Sequence, residues 1–218
     1  MKSLRYTLVA DGPTDRALMP LLTWLLRRNG VRGPITPQWA DLQRLPRRPR
    51  GLSERIEYSV DLYPCDLLFV HRDAERQPAV HRVQEIDRAI TDAGADGPIS
   101  LPPAVYVVPV RMQEAWLLFD EAALRLAASN PHGSVALELP RVASLEDVPN
   151  PKEILHHLLR EASGLSGRRK KNVPVGAHAY RLAELIDDFS PLRVLPAFQL
   201  LESDISKVVT GNGWGVRE

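Results

Sequence analysis

The fold of this 218-residue chain is decided by residues 66–73, Asp-Leu-Leu-Phe-Val-His-Arg-Asp. The four consecutive apolar residues at 67–70 are typical of a strand that is buried on both faces of a parallel sheet. Such a sheet requires helices on both faces, and helical patterns precede and follow this strand along the chain. The stretch therefore predicts an α/β domain, with ionisable side chains where the strand ends.

Strand and helix patterns alternate through the first part of the chain. A strand pattern at residues 4–10 ends at the turn Asp11-Gly12-Pro13, and apolar residues at helical spacing follow from Thr14 to about Arg28. The further patterns are an edge strand at 35–39 that contains Pro37, helices at about 53–62, 79–93 and 112–128, and a strand at 104–110. This alternation predicts a Rossmann-like α/β fold over residues 1–128, with a mostly parallel sheet of about four strands.

Residues 129–218 show a different pattern. Helical patterns occur near 151–162, 177–188 and 196–208, and a basic loop at 168–171 separates the first two. We predict a C-terminal helical extension over 129–218, which forms either a small subdomain or a layer packed on the sheet.

The composition excludes several classes of protein. Hydrophobic residues make up 44% of the chain and charged residues 25%, as in ordinary globular proteins. The most apolar stretch, residues 17–26, is half of the roughly 20 residues that a membrane span needs, so we expect a cytoplasmic protein without a membrane segment. A single cysteine, Cys65, permits no internal disulfide. Dinucleotide-binding, P-loop and serine-hydrolase motifs do not occur.

Acidic residues follow each of the three strongest strand patterns. Asp11 follows the first, Asp73 and Glu75 follow residues 67–70 together with His71, and Glu114 follows the strand at 104–110. In a parallel sheet ligands bind beyond the carboxyl ends of the strands, and neighbouring strands lie about 4.8 Å apart. These five side chains are therefore candidate ligands of Mg²⁺ or Mn²⁺.

Each acid also has a structural explanation, which stays open at this point. Asp11 suits a turn, and Asp15, four residues later, suits the first turn of a helix. Asp73 lies in a cluster that a solvated loop also accommodates, and Glu114 suits a helix start.

The motif carried by these residues resembles the TOPRIM domain of topoisomerases, primases and overcoming-lysogenization-defect nucleases. The matching features are the turn Leu8-Val9-Ala10-Asp11-Gly12-Pro13-Thr14-Asp15, the pattern His71-x-Asp73-x-Glu75, and an acid after the next strand. Together with residues 113–120, Gln-Glu-Ala-Trp-Leu-Leu-Phe-Asp, they are similar to small stand-alone TOPRIM-like proteins. The resemblance covers about residues 4–128 and implies a TOPRIM fold, Mg²⁺-dependent phosphodiester chemistry and an ATPase partner in phage defence.

Two residues depart from the family pattern. Asp11 replaces a glutamate, and His71 replaces the first aspartate of the D-x-D motif. An imidazole suits Mn²⁺ better than Mg²⁺, which prefers oxygen ligands. Two functions therefore stay open. One is a metal-dependent nuclease with Asp11, Asp73 and Glu114 as catalytic residues, and the other is an inactive TOPRIM-like subunit that binds nucleic acid or an ATPase.

The formal net charge of +1 hides two basic segments. Residues 27–50 contain seven arginines and one acid, and residues 168–171 read Arg-Arg-Lys-Lys. Arginine and lysine bind phosphate oxygens, so these segments predict a nucleic-acid interface, with DNA favoured over RNA; solvated loops or partner surfaces are the alternative. The candidate nucleic-acid-binding residues are Arg44, Arg47, Arg48, Arg50, Arg168, Arg169, Lys170 and Lys171.

Overall fold

The computed structural model describes residues 3–75, 77–95 and 100–215. Within these ranges the strands are β1 (Leu4–Val9), β2 (Ile35–Trp39), β3 (Leu67–His71) and β4 (Ala104–Val107). The helices are α1 (Leu18–Arg28), α2 (Leu52–Leu62), α3 (Ala79–Ala95), α4 (Glu121–Ala127), α5 (Pro151–Ala162), α6 (Gly167–Lys171), α7 (Val175–Leu185) and α8 (Pro196–Gly211).

The four described strands form one parallel sheet in the order β2-β1-β3-β4, so the predicted α/β class is confirmed. Every residue of β3 is buried, as its apolar run predicts. Leu8 of β1 lies opposite Trp39 of β2 on one side and Phe69 of β3 on the other. β2 is an edge strand, which accommodates Pro37 because an outer edge needs no ladder donor there.

Alternate residues of β3 enter two different hydrophobic cores. Leu67 and Phe69 belong to the larger core, which also contains the apolar side of α1. Leu68 and Val70 belong to a smaller core that Ile56 of α2 and others from α3 complete. The sheet is thus covered by helices on both faces, as a buried parallel sheet requires.

The helices after residue 128 share the larger core with the sheet. Leu155 of α5, Leu182 of α7 and Phe198 of α8 are fully buried in it. The ring of Phe198 meets that of Trp116 edge to face, with centroids 5.7 Å apart. These helices therefore form a layer packed on the sheet, one of the two arrangements that the sequence left open.

Several predicted boundaries were wrong. The helix predicted from Thr14 begins as a 3₁₀ turn at Pro13–Ala17, and the helix predicted at 112–128 divides into a 3₁₀ turn at Gln113–Leu117 and α4. The strand predicted to reach residue 110 ends at Val107. The basic residues 168–171 lie in the short helix α6 and not in a loop. None of the helices in the described ranges is long and apolar enough to cross a bilayer.

Candidate functional site

Four ionisable side chains come together beyond the carboxyl ends of the strands. We call Asp15, His71, Asp73 and Glu114 the acidic cluster. Asp15 lies in the 3₁₀ turn after β1, His71 ends β3, Asp73 follows it two residues later, and Glu114 lies in the 3₁₀ turn after β4. Asp15, His71 and Glu114 are buried, with 7%, 2% and 6% of their surface exposed. The predicted ligands His71, Asp73 and Glu114 are thus brought to one place.

His71 is held by a backbone carbonyl. Its Nδ1 lies 3.0 Å from the carbonyl oxygen of Val107, which can only accept, so Nδ1 carries the proton in this bond. Its Nε2 lies 3.4 Å from Oδ1 of Asp73. A carbonyl partner on one ring nitrogen fixes the orientation of a histidine and leaves the other nitrogen available to a proton or a cation.

Asp73 is a perturbed carboxyl group. Burial, together with the neighbouring carboxylates of Glu114 and Asp15, raises the pKa of Asp73 to about 6, although His71 and the Gln113 amide partly offset the rise. The backbone N–H of Gln113 donates to Oδ1 of Asp73 over 3.0 Å. A carboxyl group that titrates near neutrality at a strand end is a marker of functional sites.

Gln113 connects two acids of the cluster. Its side-chain Nε2 donates to Oδ1 of Asp15 over 2.8 Å, while its backbone N–H donates to Asp73. The other oxygen of Asp15 accepts from the backbone N–H of Gly12 over 2.9 Å, which closes the turn after β1. Gln113 is itself buried, and its side-chain amide holds Asp15 in place within the acidic cluster.

Glu114 has an unused oxygen. Burial raises the pKa of Glu114, and the charge of Asp15 adds to the rise, whereas the Lys152 ammonium opposes it. Lys152 Nζ lies 3.9 Å from Oε1, but Oε2 is buried and accepts no hydrogen bond from the described residues. A buried carboxylate oxygen without a donor is unfavourable, and a bound cation removes that cost.

Asp11, the first predicted ligand, is engaged by two arginines. Nη1 of Arg55 and Nη1 of Arg72 each donate to its Oδ1 over 2.6 Å. Partial burial alone raises a carboxyl pKa, but these two guanidinium groups hold the pKa of Asp11 below its usual range. Asp15, from the same turn, enters the acidic cluster, whereas Asp11 pairs with the arginines.

Glu75 faces a different partner. Its backbone is in the left-handed region, with φ of 56°, and its side chain is 68% exposed. Its Oε2 lies 4.0 Å from Nη2 of Arg82. The structure therefore places Glu75 at the rim and does not join it to the buried acids.

The predicted nucleic-acid-binding residues are on the surface. In the first segment Arg44 pairs with Asp41 and Arg47 with Glu54, and both arginines are exposed. Arg48 lines a cavity of about 340 Å³ beside the end of β1, and Arg50 is exposed nearby. In the second segment Lys170 pairs with Glu161, while the exposed basic residues of α6 are Arg168, Arg169 and Lys171.

Sequence reasoning missed the roles of Gln113, Lys152, Arg55 and Arg72. Arg55 and Arg72 are 44 and 61 residues from Asp11, so no local sequence pattern indicates that they contact it. Gln113 had a signal, since it directly precedes Glu114 after a strand. Lys152 lies on α5, and only the packing of that helix beside the sheet brings it to Glu114.

The acidic cluster fits a divalent cation by its chemistry. It offers carboxylate oxygens and one imidazole nitrogen, a set that suits Mn²⁺ or Mg²⁺, and the unpartnered Glu114 Oε2 lacks a positive partner. In the described part of the chain, no three histidine, cysteine or acidic side chains are already placed as the ligands of a metal ion. Side-chain rotation is therefore needed before a cation is fully coordinated.

Comparison with known proteins gives no relative: no family model, no curated protein and no solved structure matches this chain.

Proposed function

We propose that this protein is a divalent-metal-dependent phosphodiesterase that acts on nucleic acid, as the TOPRIM-like motif implies. The observation that carries the proposal is the acidic cluster, in which the buried carboxyl groups of Asp15 and Glu114 lie with the half-buried Asp73 and with His71. Lys152 lies at the side of this cluster, with its Nζ 3.9 Å from Glu114 Oε1. Carboxylates concentrated in this way repel one another, so the cluster is suited to hold positive charge.

His71, Asp73 and Glu114 are the residues that would hold the cation, with Asp15 as a fourth. A divalent ion held there would supply Lewis-acid chemistry: it would activate water and neutralise charge that develops on a phosphate group. The nitrogen ligand favours Mn²⁺ over Mg²⁺.

The chain itself supplies the positioning. Val107 orients His71, and Gln113 holds Asp15 and Asp73 side by side. Asp73, with a pKa of about 6, releases its proton as the pH approaches neutrality and becomes a competent ligand. Lys152 stands at the rim beside Glu114, where its ammonium group can attract a phosphate oxygen.

The choice of nucleic acid as the substrate rests on two positively charged surface segments. Arg44, Arg47, Arg48 and Arg50 form one exposed basic segment, and α6 forms another. Such segments bind a phosphate backbone without reading its sequence. An ATPase partner in phage defence is implied by the resemblance and belongs to this proposal.

One observation favours a second candidate function, an inactive TOPRIM-like subunit that binds nucleic acid or an ATPase. Asp11 stands where the family pattern has its first catalytic acid, and its charge is already taken by Arg55 and Arg72. A subunit of this kind keeps the fold and the basic segments without hydrolysing a phosphodiester bond.

Cleavage of supercoiled plasmid in Mn²⁺ or Mg²⁺ separates these functions. The test variant is Asp73→Asn, whose Oδ1 can still accept from the Gln113 amide, and the matched control is Asp92→Asn on an exposed position of α3. We expect cleavage by the wild type and the control but none by Asp73→Asn. Cleavage that persists in Asp73→Asn excludes this site. If the wild type neither cleaves nor binds Mn²⁺ in calorimetry, the second candidate is the correct one.

A further inference from the structure

Two guanidinium groups converge on a single oxygen atom beside the acidic cluster. Arg55 and Arg72 both donate to Oδ1 of Asp11 over 2.6 Å, and Arg55 also donates to the carbonyl of Ala10. Arg72 is fixed from behind by Glu85, with Nη2 3.0 Å from Oε1. Side chains that are held in this way present a rigid pair of forks, the arrangement that recognises phosphate.

A cavity opens next to this pair. It has a volume of about 340 Å³, and its polar lining includes Asp11, Arg48, Arg55 and Gln43. We call it the arginine cavity. Asp11 is its one acidic lining residue among those described, against two arginines, and Arg72, which does not line the cavity, adds a third positive charge at Oδ1 of Asp11.

Hydrogen-bond donors are in surplus at this place. Nε1 of Trp39, a residue that lines the cavity, is buried and has no acceptor among the described residues. The same is true of Nε of Arg72. Buried donors of this kind are normally satisfied, and a ligand rich in acceptor oxygens would complement them. Together with the positive charge, this favours an anion such as a phosphate group.

We propose that the arginine cavity binds a phosphate group of a nucleic-acid strand. Until that phosphate group binds, Asp11 accepts the hydrogen bonds of Arg55 and Arg72 in its place. Asp11 follows β1 and Asp73 follows the neighbouring β-strand β3, so the arginine cavity and the acidic cluster lie at the ends of adjacent β-strands. The choice of nucleic acid as the source of the phosphate rests on the proposed function; the phosphate chemistry rests on the cavity itself.

The test measures binding of a fluorescein-labelled single-stranded oligonucleotide by anisotropy, in EDTA and over a series of salt concentrations. Arg48→Ala is the first variant, because Arg48 is exposed and its loss does not threaten the fold. We expect weaker binding and a salt dependence that falls by about 0.7 in log–log slope, the value for one lost phosphate contact on a single strand. The control is Arg141→Ala, an exposed arginine from neither basic segment, which we expect to leave the slope unchanged.

Asp11→Asn gives the decisive result. Removal of the competing carboxylate frees two charge-assisted bonds, so we expect binding to tighten about tenfold. Asp204→Asn is the matched control, since Asp204 is 49% exposed and ion-paired to Lys207, much as Asp11 is 48% exposed and paired. Binding by Asp11→Asn that is no tighter than by Asp204→Asn overturns the proposal, as does an unchanged slope in Arg48→Ala.

A parallel arm uses inorganic phosphate against chloride at equal ionic strength. Displacement of the oligonucleotide by phosphate in the wild type, but not in Arg48→Ala, supports the cavity as the shared site. If phosphate binds through Arg48 and the oligonucleotide does not bind, the ligand is free phosphate and the nucleic-acid assignment is wrong. Because EDTA removes divalent ions, these results are independent of whether the acidic cluster cleaves a phosphodiester bond.

Discussion

Asp73→Asn should stabilise the protein while removing its proposed activity. The pKa of Asp73 is raised to about 6 from 3.8, so ionisation of this group in the folded state is unfavourable relative to the unfolded state. A difference of about 2.2 units at 1.36 kcal/mol each amounts to about 3 kcal/mol at pH 7 and above, as an upper value. An asparagine does not ionise, and its Oδ1 can keep the hydrogen bond from the Gln113 N–H.

The sign of the pH dependence follows from the raised pKa. Below about pH 3.8 Asp73 is protonated in both the folded and the unfolded state, and it does not lower the free energy of unfolding of the wild type. As the pH rises through about 6, this free energy of unfolding falls. The advantage of Asp73→Asn should therefore be about 0.6 kcal/mol at pH 4, about 1.6 kcal/mol at pH 5 and about 3 kcal/mol at pH 8.

Urea unfolding in EDTA, followed by tryptophan fluorescence at these three pH values, measures the effect. Asp92→Asn is the control, because an exposed carboxyl group should change the free energy of unfolding by less than about 0.5 kcal/mol. A variant that is destabilised at pH 8, or an advantage that does not vary with pH, refutes the reasoning about the acidic cluster.

Three further predictions follow from the structure. Affinity for Mn²⁺ should fall about tenfold per pH unit below pH 6, since Asp73 must lose its proton to bind, and calorimetry measures this. Phe198→Ala should cost about 3–5 kcal/mol and leave a single unfolding transition, because Phe198 packs on Trp116 in the core that α8 shares with the sheet; urea unfolding tests this. Asp120→Ala should cost about 1 kcal/mol in the same assay, since Asp120 caps α4 by accepting from the Ala123 N–H.

The sheet was predictable because its signal is local. The apolar run at 67–70 gives a strand buried on both faces, and the proline in β2 indicates the sheet edge. Helix boundaries were predicted less well. Asp120 interrupts the helical pattern at 112–128 as an N-cap, a signal that the apolar periodicity concealed. Residues 168–171 form a helix because arginine and lysine are good helix formers and Lys170 pairs with Glu161 on α5.

The site was predictable only where its residues directly follow strands. His71 ends β3, Asp73 follows it, and Glu114 follows β4, so the parallel topology alone brings them to the same end of the sheet. Asp15 joins the acidic cluster and Asp11 pairs with arginines because their partners come from distant parts of the chain. Arg55 and Arg72 hold the first, and Gln113 holds the second, 98 residues away. Contacts at such separations leave no pattern in a single sequence.

Beyond the carboxyl ends of the strands, the acidic cluster is negative and the arginine cavity is positive, and Asp11 lies between them. If phosphate displaces Asp11 from Arg55 and Arg72, the freed carboxylate lies after β1, next to β3, which Asp73 follows, and becomes available to a cation in the acidic cluster. Phosphate and cation would then favour each other's binding, and linkage requires the effect to be reciprocal. Oligonucleotide affinity in Ca²⁺, another ion that takes oxygen ligands, should exceed the affinity in EDTA for the wild type but not for Asp11→Asn. Equal gains in both proteins would show that Asp11 serves the arginines alone.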